Sequence, residues 1–394
     1  MSGAKISQTH RLNRGMTVLR ELVVCSPEPW DDVWRRKKFL TDALLRRNPE
    51  LSVLFVEPPA DVLFDLMRLR WPARPRRTAP REDGRLHVFR PLKPLPRRLG
   101  SASDRWLCDR VVDAAQRIGF KRPTLWLNDV TYAPLIRRTG WPTVYDVTDD
   151  WLLAGFPPRE IARLRGLDQL ALADAQEVVV VSPGLAASRG TTRTVTLIPN
   201  GVDTEDFRRL RARPVDLPPV PTAVYVGTLH DPRFDVELVI DLARSMRELS
   251  VVLVGPDALQ VSSRQSLRAE PNIHLLGPRP HADVPAYLQH ADVVIVPHPV
   301  TPFTESLDPI KAYECLAVET PTVATPVAGF RELEACITVA PRDSFVRAVQ
   351  ATLSGPRRRA TAAKPPSWAD RAQAFEIVLL RAGASAAPHS EETV

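Results

Sequence analysis

DVVIVPHPVTPFTESLDPIKAYECLAVETPTVAT, residues 292–325, reads as a strand (Asp292 to Val296), a polar loop, a helix (Pro309 to Val318) and a second strand (Thr322 to Thr325). Short β-branched runs bounded by Pro and polar residues favour strands, and a helix-length segment between two of them points to a parallel crossover. The same alternation extends in both directions. Earlier strands are expected at Leu22 to Cys25, Ser52 to Val56, Leu86 to Arg90, Thr124 to Leu127, Thr143 to Val147, Glu177 to Val181 and Thr194 to Ile198. Helices fit Ser103 to Ile118, with Ser103 as N-cap, and Pro158 to Ala173. The later part adds strands at Thr222 to Val226, Val251 to Val254, Ile273 to Leu276 and Ile337 to Val339, with helices at Val236 to Arg247, Ala282 to Gln289, Ser344 to Leu353 and Trp368 to Leu380. Each half is long enough for its own doubly wound sheet. The join is expected as an Asn200-Gly201 turn followed by a stiff linker, Arg211 to Pro221. Two such domains leave a cleft at the carboxyl ends of their strands, where open α/β sheets bind ligands.

Composition narrows the class of protein. Of 394 residues, 44% are hydrophobic and 25% charged, so each domain can bury a core. No run approaches the roughly 20 apolar residues of a membrane-spanning helix, and MSGAKISQTHRLNRG lacks the apolar core of a secretion signal. A cytoplasmic protein is expected, with Cys25, Cys108, Cys315 and Cys336 as reduced structural thiols, since their spacing suits no metal site. The formal charge of +7 favours an anionic partner. It is concentrated in residues 68–98, where eleven Lys or Arg face only Glu82 and Asp83. Trp71, Phe89 and several Leu are interleaved there, which suits an anionic membrane surface better than a sequence-reading nucleic-acid module, with a solvated basic face as the other reading. No helix-turn-helix, zinc-finger or RNP pattern supports nucleic acid as a partner.

The chain contains no G-x-G-x-x-G, no G-x-x-x-x-G-K-[ST] and no G-x-S-x-G, which argues against NAD enzymes, P-loop NTPases and α/β hydrolases. Chemistry is expected instead at the start of the helix in 292–325. The free backbone N–H groups in the stretch Leu307 to Ile310 would point outward with the positive end of the helix dipole, a phosphate-binding arrangement. Glu314, one turn on, could accept two ribose hydroxyls. A single helical Glu is ordinarily just solvated, so its neighbours decide its meaning.

Those neighbours carry a resemblance. The loop, helix and P-T-V-A-T strand resemble the donor site of GT-B glycosyltransferases of the family-4 type. IPNGVDTEDF (198–207) is similar to that family's crossing between domains, and VYVGTLHDPRFD (224–235) to the strand and loop over the diphosphate. VVCSPEPWDDVWRRKKFL, VLFVEPP and VYDVTDDW resemble a subgroup that includes teichuronic acid biosynthesis glycosyltransferases. Together these motifs cover most of residues 20–380.

The resemblance implies a GT-B α/β fold with two Rossmann-like domains facing a central cleft. It divides the chain into a flexible start (1–19), an acceptor domain (20–205), a nucleotide-sugar domain (206–365), a helix crossing back to the first domain (366–383) and a disordered tail (384–394). It implies donor binding by Gly227, Thr228, His230, Ser306, Leu307, Asp308, Pro309, Ile310 and Glu314, with Asn128 and Asp129 where relatives place a sugar-touching His. Trp30 and Arg36 would face the acceptor. The family's E-x7-E pair is broken, because Ser306 stands where the first Glu belongs and Glu305 is one position earlier. Thr228 and Phe234 occupy the places of the family's two phosphate cations, which leaves Arg233, His230 or Lys311 to substitute. Asp146, Asp149, Asp150 and Trp151 follow a strand. Asp149 is a catalytic candidate, and Asp149 with Asp150 a possible cation holder, although GT-B chemistry generally uses no metal or other cofactor. The implied reaction is retaining transfer from a nucleotide-diphosphate sugar to a cell-envelope, polysaccharide or lipid-linked acceptor, with peripheral attachment to the membrane. Two other readings are a catalytically weakened scaffold and a nucleotide-sugar epimerase.

Overall fold

The computed structural model describes residues 18–61, 79–81, 84–93, 101–219, 221–355 and 365–385. The expected flexible start and disordered tail lie almost wholly outside them. The first domain is built on strands β1 (Glu21–Cys25), β2 (Ser52–Val56), β3 (Ala60–Asp61), β4 (Ala79–Arg81), β5 (Leu86–Phe89), β6 (Leu92–Lys93), β7 (Thr124–Leu127), β8 (Thr143–Val147), β9 (Glu177–Val180) and β10 (Thr196–Leu197). Eight of these form a sheet ordered β10-β9-β8-β7-β1-β2-β5-β4, parallel except for β4, and β3 pairs with β6 separately. The second sheet contains β11 (Thr222–Val226), β12 (Ser250–Val254), β13 (Ile273–Gly277), β14 (Val293–Val296), β15 (Thr322–Ala324) and β16 (Thr338–Val339), all parallel and ordered β13-β12-β11-β14-β15-β16. The strand order reverses at β1/β7 in one sheet and at β11/β14 in the other, and ligands of open α/β sheets bind at such switch points.

Burial explains why the central strands are apolar throughout rather than alternating. In β12 and β14 every residue is buried, as a parallel sheet covered on both faces requires. Each sheet separates two apolar cores. The helix Trp368–Ser385 brings Trp368, Phe375, Val378 and Leu379 onto the first domain's sheet beside Trp126, Val144 and Val179. The C-terminal helix therefore completes the hydrophobic core of the first domain, not the second.

Several local expectations need correction. The helix Ser101–Arg117 starts upstream of Ser103, so Ser103 lies buried in its first turn instead of capping it. Asn200-Gly201 is no hairpin-type turn. Gly201 has no positive φ, and its lack of a side chain serves close approach, since a Cβ there would lie 3.0 Å from the carbonyl oxygens of Pro366 and Ser367. The helix expected from Pro309 begins at Ile310, with Pro309 as the extended N-cap. In the basic segment, Arg85 donates to the carbonyls of Leu45 and Asn48, Arg90 lies 3.9 Å from Glu57, and Lys93 is buried. These three charges are spent inside the fold. The other eight Lys and Arg of residues 68–98 lie outside the residues whose side chains are described.

Candidate donor cleft between the two sheets

The carboxyl ends of both sheets face a cleft of about 500 Å3. Its second-domain wall carries Gly227, Thr228, His230, Arg233, Leu307, Asp308, Pro309, Ile310, Lys311 and Glu314, and Asp149 and Arg36 reach it from the first domain. Most of the residues picked from sequence are thus brought together, though several have other duties. Gly227 is a point of close approach: φ is +153°, and a Cβ there would lie 2.3 Å from both Cε and Nζ of Lys311. The lysine side chain crosses directly over the glycine backbone, its Nζ 5.4 Å from the centre of the Tyr225 ring. Glycine permits this crossing, because the lysine side chain fills the space a Cβ would need.

The start of helix Ile310–Val318 differs from expectation in one chemical respect. Pro309 has no N–H, and the Leu307 N–H already donates to the Thr304 carbonyl at 3.3 Å. The first-turn amides without a helical carbonyl within reach are those of Ile310 and Lys311. Glu314 sits one turn further into the helix. Burial pushes its carboxyl above the usual range, and Lys311 pulls in the opposite direction. Asp308 turns away from ligand duty: it accepts from the Asn200 backbone N–H and, at 2.8 Å, from the Tyr313 hydroxyl, and burial raises its pKa. It fastens the crossing segment between domains to the helix start.

Arg233 is the cation most clearly shared by both domains. Its Nη2 donates to Asp149 Oδ1 at 2.7 Å, and its guanidinium lies 4.9 Å from the Phe303 ring and 5.8 Å from the Trp151 ring. Asp149 is therefore already paired with a guanidinium. Asp150 is bound bidentately by Arg189 at 2.9 Å in both contacts, so the pair is not arranged as a cation holder. His230 lines the cleft with its pKa lowered by burial and then by Arg233.

Ser306, Asn128, Asp129 and Trp30 do not line the cleft. Ser306 is a fastener between domains: its hydroxyl donates to the Phe303 carbonyl at 2.7 Å and accepts from the Asp150 N–H at 3.3 Å, while its carbonyl accepts from the Ser182 hydroxyl at 2.7 Å. Asn128 donates to the Asp146 carbonyl at 2.7 Å, and Asp129 caps a short helical turn by accepting from the Thr131 N–H at 2.9 Å. Trp30 is buried edge-on against Phe55 at 4.9 Å. Arg36 lines the cleft floor, but its guanidinium is fixed by two contacts of 3.2 Å to the wholly buried Asp146 and by the Pro199 carbonyl at 3.3 Å. Its duty is to hold the domain crossing, not to meet an acceptor.

Sequence reasoning missed Lys37, His281 and His298. Lys37 is buried and paired with Glu28 at 2.8 Å on the first-domain wall. His281 stacks on Trp34 at 5.6 Å and meets Phe39 at 5.1 Å, and burial lowers its pKa to about 4. His298 follows β14 with only Pro297 between. A polar ring in the first residues after a switch-point strand was the available signal.

Residues 220–354 match the family described as glycosyl transferases group 1. The protein named teichuronic acid biosynthesis glycosyltransferase TuaH, from Bacillus subtilis (strain 168), is 26% identical over 234 residues, which are 54% of this chain and 58% of that protein. The chain thus spans a little over half the length of that relative. Among solved structures, an alpha,alpha-trehalose-phosphate synthase (UDP-forming) from Burkholderia vietnamiensis superposes with a TM-score of 0.66 at 15% identity, over 93% of this chain and all of that one. Anabaena Alr3699/HepE, in complex with UDP and glucose, gives a TM-score of 0.60 at 17% identity, over 93% of this chain and 98% of that one. With its two parallel sheets and these structural likenesses the chain has the GT-B fold, and its residues 220–354 match the glycosyl transferases group 1 family.

Proposed function

We propose that the protein transfers a sugar, with retention at the anomeric carbon, from a nucleotide-diphosphate sugar to a cell-envelope or polysaccharide acceptor. The observation that carries this reading is the convergence of Gly227, Lys311, Arg233 and Glu314 on one cleft at the β11/β14 switch point. Gly227 lets Lys311 lie close over its backbone, two cations and the first-turn amides of Ile310 and Lys311 stabilise the diphosphate as it leaves, and Glu314 takes ribose hydroxyls. Charge stabilisation in a site screened from water is the main catalytic resource such a cleft offers. The cations at the family's two usual positions are missing, which motivated the scaffold reading. Arg233 and Lys311 restore positive charge to the same cleft from neighbouring positions, and this favours transfer. For an epimerase, a carboxylate free to move a proton is needed, and Asp149 is engaged by Arg233.

Envelope acceptors are proposed from the TuaH likeness, and attachment to an anionic membrane from the charge of residues 68–98. Among the described residues no helix is long and apolar enough to cross a membrane. Product analysis after incubation with UDP-, GDP- and ADP-sugars tests the reaction: released nucleoside diphosphate supports transfer, and an isomerised sugar nucleotide supports epimerisation. For attachment, flotation with anionic vesicles at low salt is expected, with none for neutral vesicles and release near about 0.5 M salt. Equal flotation with both kinds of vesicle, or none, would remove the membrane from the proposal.

A further inference from the structure

We infer that His298 is a further donor-binding residue, its Nε2–H serving as an uncharged hydrogen-bond donor to an oxygen of the diphosphate beside Lys311 and Arg233. The inference rests on reading the cleft as a nucleotide-diphosphate-sugar site. His298 lies two residues past the end of β14 and Gly227 directly after β11, so the two stand at the carboxyl ends of the paired strands that flank the switch point. Its backbone is held firmly: the N–H donates to Thr325 Oγ1 at 3.0 Å, and the carbonyl lies 2.7 Å from that same hydroxyl. Its ring is set edge-on to Tyr225 and to Phe330, each at 6.3 Å between ring centres. Only 5% of the residue is exposed, yet it lines the cleft.

Two physical facts fix what such a ring can do. Nδ1 is enclosed and has no hydrogen-bond partner. A proton placed there would be an enclosed N–H without an acceptor, which is costlier and rarer than an unused lone pair. In the neutral ring the proton therefore sits on Nε2, the nitrogen that is not enclosed. Burial first, and then the nearby charges of Lys311 and Arg233, push the pKa down to about 3, so the ring does not charge near neutral pH. A residue that stays neutral between two cations suits hydrogen bonding to an anionic oxygen, and it is a poor proton source for the leaving group. Ser306, the alternative from the sequence pattern, is tied to Phe303 and Asp150 and is unavailable for this task.

The test is calorimetric binding of UDP, GDP and ADP and their monophosphates to the full chain and to His298 variants near neutral pH. His298→Phe keeps the ring's bulk and removes the donor, while His298→Gln restores an N–H at similar reach. The Phe variant should lose about tenfold in affinity for the diphosphate that the unsubstituted protein prefers, the size expected for one hydrogen bond to a charged group, and at most about twofold for its monophosphate. The Gln variant should recover most of the loss. Should the Phe variant not fold, His298→Asn, which keeps polarity but shortens the reach, should show the same loss against Gln. An unsubstituted protein that binds diphosphate while the Phe or Asn variant binds it equally well, or loses monophosphate to the same degree, would overturn the inference alone. An unsubstituted protein that binds none of the nucleotides would overturn the functional reading as well.

Discussion

Arg233 Nη2 lies 2.7 Å from Asp149 Oδ1, a contact that joins the loop after β11 in one domain to the loop after β8 in the other. The same guanidinium is the cation proposed to face the leaving diphosphate, so Asp149 and the ligand compete for it. The pair is only partly buried, with side-chain exposures of 33% and 12%, and its strength is correspondingly modest. Asp149→Asn should raise nucleoside-diphosphate affinity a few-fold, equivalent to about 1 kcal/mol or less. Calorimetry measures it, and weaker binding by the variant would show that Asp149 supports the ligand instead of opposing it.

Glu314→Gln removes a carboxyl whose burial raises its pKa, so folding should lose little and the melting temperature should hold or rise. Nucleotide binding should weaken by several-fold or more, because bonds from ribose hydroxyls to a charged acceptor contribute roughly 1.5 to 3 kcal/mol. Thermal shift with nucleotide present and absent separates the two effects. Unchanged affinity would remove Glu314 from the ribose site.

Arg36→Ala should destabilise the protein by about 3 to 5 kcal/mol, because it leaves the wholly buried Asp146 carboxylate without its guanidinium. Asp146 would retain only the Trp126 indole N–H at 3.1 Å. Urea unfolding measures the loss. The double variant Arg36→Ala, Asp146→Asn should lose less than the sum of the two single variants. A cost below about 1 kcal/mol for Arg36→Ala would place its energetics among surface pairs.

His281 predicts an acid limb in the stability profile. Its folded pKa is lowered from 6.5 to about 4, so between those values the unfolded chain binds a proton that the folded chain does not. Stability from this group is therefore complete above about pH 6.5 and is lost as pH falls toward 4. The burial responsible comes from Trp34, Phe39 and Phe207 around the ring. Replacing His281 by Phe keeps the packing and removes the titration. Between pH 7 and pH 5 the variant should lose about 1 to 2 kcal/mol less than the unsubstituted protein. Parallel profiles would show that His281 is not buried neutral in solution.

The strands Ser52–Val56, Thr124–Leu127, Thr143–Val147 and Thr222–Val226 were legible because burial on both faces forces short, mostly apolar runs without alternation. The helix Arg36–Arg47 was not. Three of its twelve residues are Arg and two are Lys, and the buried Arg36 and Lys37 reach Asp146 and Glu28, partners far enough away in sequence or outside the helical repeat to leave no local pattern. Within the cleft, Glu314 could be read from residue type one turn into a helix, while Gly227, Arg233 and Lys311 were legible only through the resemblance of their motifs to the family's. The engagements of Asp308, Ser306 and Arg36 could not, since each depends on a partner more than 100 residues distant. His298 was hidden for another reason: between two prolines it reads as loop punctuation, and only the fold shows that the loop begins on the switch-point strand.

Release of nucleoside diphosphate from UDP-, GDP- and ADP-sugars, compared between the full chain and its Arg233→Ala, Lys311→Ala double variant, tests the central claim most directly. Removal of preorganised charge from a leaving group commonly costs about a hundredfold or more in turnover. The unsubstituted chain should consume one donor class, releasing its nucleoside diphosphate and passing the sugar to water or an added glycan, and the double variant should be slower by at least that factor at saturating donor. Consumption of none of the donors, or equal turnover by the folded double variant, would contradict glycosyl transfer through this cleft.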